Sequence, residues 1–137
     1  LAHNPDYEAG QASTLRAGLR ATSLNMDGYL FALGDQPLIG PKLIDSLIEI
    51  FALSDGRALA AVPFIHGRRG NPALLSSALR PELEALRGDE GARSILKSIE
   101  AESPERFLIL ETDAEEMFWD IDTEEDFERI RAKFEET

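Results

Sequence analysis

Residues 29–38 read YLFALGDQPL, and this stretch decides the class of fold. Five apolar residues follow one another without polar alternation, which is typical of a strand buried on both faces. The predicted strand covers residues 28–34 and is ended by Gly34 and Pro37, so Asp35 stands at its C-terminal tip. Because ligands bind at that edge of open α/β sheets, Asp35 is a candidate ligand for a hard cation such as Mg²⁺. The alternative is an aspartate that only shapes a turn.

Composition limits the class of protein. The chain has 137 residues, which is enough for one domain with one core. Its formal net charge of −12 argues against binding to nucleic acid or a membrane surface, since such proteins usually carry a basic face. The absence of cysteine excludes a disulfide framework, a thiolate metal site and a cysteine nucleophile. No apolar run approaches the roughly 20 residues that cross a bilayer, and we expect a soluble cytoplasmic protein.

Helical and strand patterns alternate along the chain. Helices are predicted over residues 13–21, from Pro41 to 54–56, from Pro81 to Gly88, after a cap at Asp89, and after a cap at Thr123. Further strands are predicted at 58–65, 73–75 and 107–110, with an extended piece at 118–121 and a loop at 66–72. Pro63 indicates an edge position or a bulge in its strand. The alternation predicts one α/β domain over residues 1–137, with a mostly parallel sheet covered on both sides.

Two acidic segments at strand-to-helix junctions form the main candidate site. Asp35 ends the first buried strand, and Asp122 follows a short extended piece before a capped helix. Two carboxylates at one edge of the sheet would suit an octahedral Mg²⁺ shared with the phosphates of a nucleotide. The alternative for Asp122 is a residue that hydrogen-bonds backbone amides where the helix starts. We prefer that interpretation for Asp120 and Asp126.

Three further segments combine glycine with polar or basic residues. Residues 67–72 (GRRGNP) could bind phosphate through Arg68 and Arg69, although a solvated turn is the simpler interpretation. Residues 86–93 (LRGDEGAR) could present a helix N-terminus to an anion, although such junctions are more often only capped turns. Residues 10–19 (GQASTLRAGL) place hydroxyls where they either cap a helix or contact a base or ribose.

Taken in order, these segments resemble the molybdenum cofactor cytidylyltransferase group of the nucleotidyltransferase superfamily. The motifs that carry the resemblance are Asn4-Pro5 with the segment 10–19, then residues 33–37, 67–72 and 88–93, and then residues 120–123 with Asp126. The resemblance implies a Rossmann-like nucleotidyltransferase fold with three α/β/α layers. It also implies Mg²⁺-dependent transfer of a nucleotidyl group from CTP, or from GTP, to the terminal phosphate of molybdopterin. Contact with a molybdoenzyme or a chaperone is a further expectation.

The same resemblance assigns roles to individual residues. Asp35 and Asp122 would hold the metal and act in catalysis. The residues that would contact the nucleotide or the acceptor are Gly10, Thr14, Leu15, Gly34, Gly70, Asn71 and Pro72. The group usually has serine where this chain has Thr14, so the hydroxyl is retained.

The resemblance also has a gap at its start. The family opens with a strand and a glycine-rich loop containing Arg and Lys that binds the triphosphate, and no segment here resembles that loop. We therefore expect a domain that lacks its first βα unit, and a 137-residue polypeptide that binds CTP poorly and turns over little. The alternative function is a non-catalytic accessory or binding module of the same fold.

Overall fold

The computed structural model describes residues 1–135, which form a sheet with helices on both of its faces. The strands are β1 (Gly28–Phe31), β2 (Ala60–Ile65), β3 (Arg68–Arg69), β4 (Ala73–Ser76) and β5 (Phe107–Glu111). The helices are α1 (Gln11–Ala21), α2 (Pro41–Leu53), α3 (Arg80–Ala85), α4 (Arg93–Glu102) and α5 (Glu124–Glu135). Short 3₁₀ turns lie at Tyr7–Ala9, Ser77–Leu79, Pro104–Arg106 and Glu115–Phe118.

The strands form one mixed sheet. β4 lies between β1 and β2 and is antiparallel to both, so β1 and β2 point the same way. β5 pairs in parallel with β2 on its other side, while β3 pairs antiparallel with the end of β2. Three strands, β1, β2 and β5, therefore share one direction and bring their carboxyl ends to one side of the molecule. This arrangement confirms the predicted α/β class.

Side chains of the strands alternate between two apolar clusters, one on each face of the sheet. In β2, Ala60 and Val62 belong to the cluster formed with α1, α3 and α4, whereas Ala61 belongs to the cluster formed with α2. In β4, Leu75 belongs to the first cluster and Leu74 to the second. The two-residue period of a strand thus produces the predicted three layers.

The first strand is shorter and less buried than the sequence predicts. β1 ends at Phe31, and Ala32, Leu33 and Gly34 are exposed. Within β1 only Tyr29 is buried. The prediction of a strand buried on both faces is therefore wrong for this segment. The physical reason is that β1 has one neighbouring strand, β4, in the described part of the chain and leaves the sheet after four residues.

A bulge accommodates Pro63 inside β2. Ala61 lies opposite Leu74 and Phe64 lies opposite Arg69, so two residues of β2 face the four residues 70–73. The carbonyl of Pro63 accepts a hydrogen bond from the amide of Gly70 at 2.9 Å. Since the amide and carbonyl of one strand residue point to the same side, the missing N–H of proline faces the bulge, where no ladder bond is lost. A bulge thus occurs at Pro63, as predicted, but its extra residues belong to the opposing segment 70–73 and not to β2.

Two local predictions are wrong, and a third holds only in part, because tertiary packing decides the conformation of these segments. Residues 66–72 are not a free loop, since Arg68 and Arg69 form β3 after a tight turn in which His66 and Gly67 have positive φ. No side chain caps α4, and Asp89 instead lies in the preceding turn. Residues 118–121 were expected to be extended. Phe118 is instead the last residue of a 3₁₀ turn, whereas Trp119 is extended.

The apolar residues of helix α2 differ in how deeply they are buried. Pro41 occupies the first turn, as predicted, and Leu43, Leu47 and Phe51 point into the core. Leu47 is fully buried, whereas the adjacent Ile48 is 48% exposed. None of the helices within residues 1–135 has the length and apolar character of a bilayer span.

Exchange of Leu47 for alanine tests this packing. We expect Leu47→Ala to lower the free energy of unfolding by about 2–5 kcal/mol, because it removes apolar contacts and leaves a cavity. The matched change Ile48→Ala, one residue further along the same helix, should cost less than about 1 kcal/mol, since its side chain is half in water. Urea unfolding of both variants measures the difference, and equal losses would contradict the orientation of α2.

Candidate functional site

A cleft of about 760 Å³ opens at the end of the sheet where β1 finishes and β4 begins. Its walls come from the start of α1, the residues after β1, the bulge before β4 and the first turns of α4. Five of the residues predicted to contact substrates line it, namely Thr14, Leu15, Gly34, Gly70 and Asn71. Segments that are far apart in sequence therefore meet at the edge where ligands bind in open α/β sheets.

The other two predicted contact residues, Gly10 and Pro72, lie outside the cleft lining. Gly10 has a φ of 104°, and a side-chain carbon there would overlap the backbone of Gly88. The amide of Ala12 also donates to the carbonyl oxygen of Gly88 at 3.0 Å. Pro72 is buried and follows a cis peptide bond after Asn71. Gly10 and Pro72 thus shape the walls behind the cleft, and direct contact with a ligand stays a prediction for both.

The hydroxyl of Thr14 is positioned by an N-terminal asparagine. The Nδ2 atom of Asn4 donates to Thr14 Oγ1 at 3.0 Å and to Ser13 Oγ at 2.9 Å. Ser13 is buried and its hydroxyl lies 2.8 Å from the carbonyl oxygen of Gly10. The motif Asn-Pro followed by Ser-Thr-Leu is therefore one hydrogen-bonded unit, in which Ser13 is structural and Thr14 lines the cleft.

The two acidic segments lie side by side next to the cleft. The amide of Ile121 donates to the carbonyl oxygen of Asp35 at 2.9 Å. Asp35 and Asp122 are both exposed, and neither carboxylate makes a hydrogen bond or ion pair within residues 1–135. We call Asp35, Gln36 and residues 120–122 the acidic lip. The structure brings the two predicted metal ligands into one region, while metal binding by them stays a prediction.

Gln36 connects the two halves of the acidic lip and was missed by sequence reasoning. Its Nε2 atom donates to Asp120 Oδ1 at 2.7 Å and lies 3.4 Å from the carbonyl oxygen of Phe118. Because both neighbours are acceptors, the amide nitrogen must face them. The opposite atom, Oε1, is buried and has no donor among the described residues. The sequence offered one sign of this role, which is an amide side chain directly after Asp35 and directly before Pro37.

Thr123 caps helix α5, and its partner in the cap is Asp126 and not Asp122. The Oδ2 atom of Asp126 accepts from the amide of Thr123 at 3.1 Å and from the Thr123 hydroxyl at 2.7 Å, while the amide of Asp126 donates to Thr123 Oγ1 at 3.1 Å. These reciprocal bonds form a capping box and confirm the predicted cap. The hydroxyl of Thr123, backbone amides and Arg129 hold the pKa of Asp126 below its ordinary range. The carboxylate of Asp122 is consequently not needed for capping.

Basic side chains from β3 and α4 also line the cleft. Arg69 on β3 and both Arg93 and Lys97 on α4 contribute to its walls. Arg69 pairs with Glu100 at 3.2 Å, whereas Arg93 and Lys97 make no hydrogen bond or ion pair in the described part of the chain. Of the two arginines predicted to bind phosphate, Arg68 does not line the cleft.

The donor set of the acidic lip fits a metal ion shared with a substrate. Across residues 1–135, no group of three His, Cys, Asp or Glu side chains is placed to enclose a metal ion. Mg²⁺ usually takes one or two carboxylates and completes its shell with water and substrate phosphates. Two exposed carboxylates without protein partners, Asp35 and Asp122, match that requirement better than they match an all-protein cage.

Comparison with known proteins identifies a family and several relatives of this chain. Residues 1–104 match the MobA-like NTP transferase domain. The purine catabolism protein PucB of Bacillus subtilis (strain 168) is 34% identical over 127 residues, which cover 92% of this chain and 58% of PucB.

Solved structures share the fold. The Mycobacterium sp. strain JC1 homologue of Mycobacterium tuberculosis Rv0371c superposes with a TM-score of 0.72 at 28% identity, covering 93% of this chain and 59% of that one. Rv0371c of Mycobacterium tuberculosis H37Rv in complex with manganese gives 0.67 at 25% identity, covering 85% and 58%. The chain thus spans 58–59% of the length of these relatives.

Exchange of Gln36 for glutamate tests the connection within the acidic lip. We expect Gln36→Glu to lower the free energy of unfolding by about 1.5–3 kcal/mol at pH 7, because a donor to Asp120 is replaced by a like charge. Burial and Asp120 raise the pKa of the new carboxyl, so the loss should shrink towards pH 5, where the protonated group donates again.

Urea unfolding at both pH values measures this effect. The control Gln11→Glu makes the same charge change at an exposed glutamine and should cost little at either pH. A loss that is the same at pH 5 and pH 7 would contradict the proposed contact.

Acid titration tests the capping box. The pKa of Asp126 is lower in the folded protein than in the unfolded chain, so its stabilisation is complete above about pH 4 and is lost as pH falls through the lower folded value. We expect the first turn of α5 to fray over that acid range, and Asp126→Asn to fray at pH 7 and to respond less to acid. Backbone NMR chemical shifts of α5 report the change. Asp45→Asn, on the surface of α2, should leave α5 unaffected, and an unaltered acid profile in Asp126→Asn would refute the cap.

Proposed function

Because this chain belongs to the MobA-like NTP transferase family, we propose that its cleft and acidic lip serve Mg²⁺-dependent nucleotidyl transfer. The donor is CTP, with GTP as the alternative, and the acceptor is the terminal phosphate of molybdopterin. The observation that carries the proposal is the 2.9 Å hydrogen bond from the Ile121 amide to the Asp35 carbonyl, which joins two acidic segments beside the cleft. The proposal concerns the whole protein, since this chain spans 58% of PucB.

The requirement for a divalent metal rests on the donor set and on one relative. Asp35 and Asp122 offer hard oxygen ligands without protein partners in the described chain. The Mycobacterium tuberculosis relative was solved in complex with manganese. Asp35 and Asp122 would hold Mg²⁺ in this protein. When bound, the ion would neutralise phosphate charge and orient the group that is transferred.

The walls of the cleft would hold the two substrates. Thr14, Leu15 and Gly34 would contact the nucleotide, and Gly70 with Asn71 would contact the acceptor on the neighbouring wall. An oxygen of the acceptor phosphate attacks the α-phosphorus of CTP, the bond from that phosphorus to the bridging oxygen breaks, and pyrophosphate leaves with the electron pair. The protein contributes mainly by holding both groups in line and excluding other orientations.

The identity of the acceptor rests on the sequence motifs. The name of PucB refers to purine catabolism and specifies no acceptor. Residues 67–72 and 120–126 carry the resemblance to the cytidylyltransferase group, and residues 70–71 line the cleft. Delivery of the product to a molybdoenzyme or its chaperone is part of this proposal.

Loss of either carboxylate should stop the reaction. We expect Asp35→Asn and Asp122→Asn each to reduce CMP transfer to molybdopterin by about 100-fold or more, because each removes a ligand of the Mg²⁺ ion that would stabilise the developing negative charge on phosphate. The assay uses the intact protein with CTP, molybdopterin and a Mg²⁺ titration, and follows pyrophosphate and the dinucleotide product. The control is Asp55→Asn at an exposed position with a φ of 51°, which asparagine tolerates.

Two outcomes would decide against parts of the proposal. If both lip variants keep more than about half of the activity, the assignment of Asp35 and Asp122 fails, since removing a charge-stabilising group costs far more than that. If the unsubstituted protein forms no Mg²⁺-dependent product with CTP or GTP, the non-catalytic accessory module becomes the better description.

A further inference from the structure

We propose that Arg93 and Lys97 form a binding site for a phosphate group on the α4 wall of the cleft. This inference rests on the proposed function, because the natural ligand is then either the phosphate of the acceptor or the triphosphate of the nucleotide. Both sources share one chemistry, an anionic phosphate ester. Neither residue is among those that the sequence motifs assign to the substrates.

Geometry places the two cations together inside the cleft. Arg93 is the first residue of α4 and Lys97 follows one turn later, so both lie on the same face of the helix. Both line the cleft, and so does Arg69 from the hairpin strand β3. Arg69 is held against α4 by its 3.2 Å ion pair with Glu100. Positive charge thus reaches the cleft from two separate elements.

The acids around this wall do not neutralise the two cations. Glu100 is paired with Arg69, and Glu90 Oε2 accepts from the backbone amide of Arg87 at 3.0 Å. Asp89 also lines the cleft, but it makes no ion pair with Arg93 or Lys97. The side chains of Arg20, Lys42 and Arg68 also lack a hydrogen bond or ion pair within residues 1–135, so what distinguishes Arg93 and Lys97 is that both line the cleft.

The order of charges along α4 opposes the stability of the helix. The helix dipole favours acids in the first turn and bases in the last, yet α4 begins with Arg93 and carries Glu100 and Glu102 near its end. Arg93 and Lys97 also repel each other at a spacing of four residues. A bound anion would relieve both penalties, and such conflicts with local rules are expected at functional sites.

Phosphate matches this pair of side chains. A guanidinium group donates two parallel hydrogen bonds to phosphate oxygens, and an ammonium group adds a compact charge. The cleft is also lined by Gly70 and Asn71, the residues that the sequence motifs assign to the acceptor. The cleft volume of about 760 Å³ leaves room for more than a phosphate alone.

The first experiment measures binding of inorganic pyrophosphate to the intact protein by calorimetry, without nucleotide or metal. We expect Arg93→Gln and Lys97→Gln each to raise the dissociation constant about tenfold, as for the loss of a charge-assisted hydrogen bond. The matched controls Arg20→Gln and Lys42→Gln change the net charge equally, at exposed positions outside the cleft. Their dissociation constants should stay within about twofold, since exposed charges at a distance are screened.

A stability measurement separates binding from folding. Because Arg93 opposes the dipole of α4, Arg93→Gln should leave the free energy of unfolding without ligand unchanged or higher. Loss of pyrophosphate binding together with unimpaired stability supports the site, whereas equal weakening of binding in Arg93→Gln and Arg20→Gln overturns it.

Steady-state kinetics then identify the source of the phosphate. A raised KM for molybdopterin with an unchanged KM for CTP assigns the site to the acceptor, and the reverse result assigns it to the triphosphate. If the unsubstituted protein binds pyrophosphate through Arg93 and Lys97 but transfers no nucleotide, the proposed function fails while the phosphate site stands. If transfer proceeds and all four variants behave alike, the phosphate site fails while the proposed function stands.

Discussion

One pair of hydrogen bonds holds the candidate site together. The amide of Ile121 binds the carbonyl of Asp35, and the side chain of Gln36 binds Asp120 across 84 residues of sequence. The acids of this region differ in whether their carboxylates have a hydrogen-bond partner. Asp120 is bound by Gln36 and Asp126 by the capping box, whereas the other two carboxylates of the lip, Asp35 and Asp122, have no partner in the described chain. The choice of Asp35 and Asp122 as candidate metal ligands therefore follows from which neighbouring acids are already engaged.

The strand directions of the sheet bring the cleft residues to the same end of the molecule as the acidic lip. β1, β2 and β5 point the same way, and the reversed strand β4 begins at the end where β1 finishes. The bulge at residues 70–73 therefore lies beside the acidic lip. A side-chain carbon at Gly70 would overlap the ring of Phe118, so only glycine allows the bulge to approach the segment that leads into the lip. Cleft and lip are joined by this close contact as well as by Gln36.

Local signals predicted the parts of the structure that depend on local chemistry. Pro63 predicted a bulge because proline lacks an amide hydrogen, and Thr123 predicted a cap because its hydroxyl can reach nearby amides. The length of β1 depends on neighbours far away in sequence, and its prediction was wrong. The extended piece predicted at 118–121 is correct for Trp119 and wrong for Phe118, which ends a 3₁₀ turn. The sequence favoured Asp122 over Asp120 as a metal ligand, but it predicted that Asp120 binds backbone amides, whereas its partner in the structure is the side chain of Gln36, a long-range contact.

Helices α4 and α5 show why the charges of the cleft are informative. α5 has Glu124, Glu125 and Asp126 in its first turn and Lys133 in its last, which is the order that its dipole favours. α4 has no acid in its first turn and begins with Arg93. Helices α2 and α3 also carry a base in the first turn, Lys42 and Arg80, and neither residue lines the cleft, so the order of charges alone does not mark a site. Arg93 differs from both because it lines the cleft and its side chain has no partner in the described chain, and the proposed phosphate site depends on that combination.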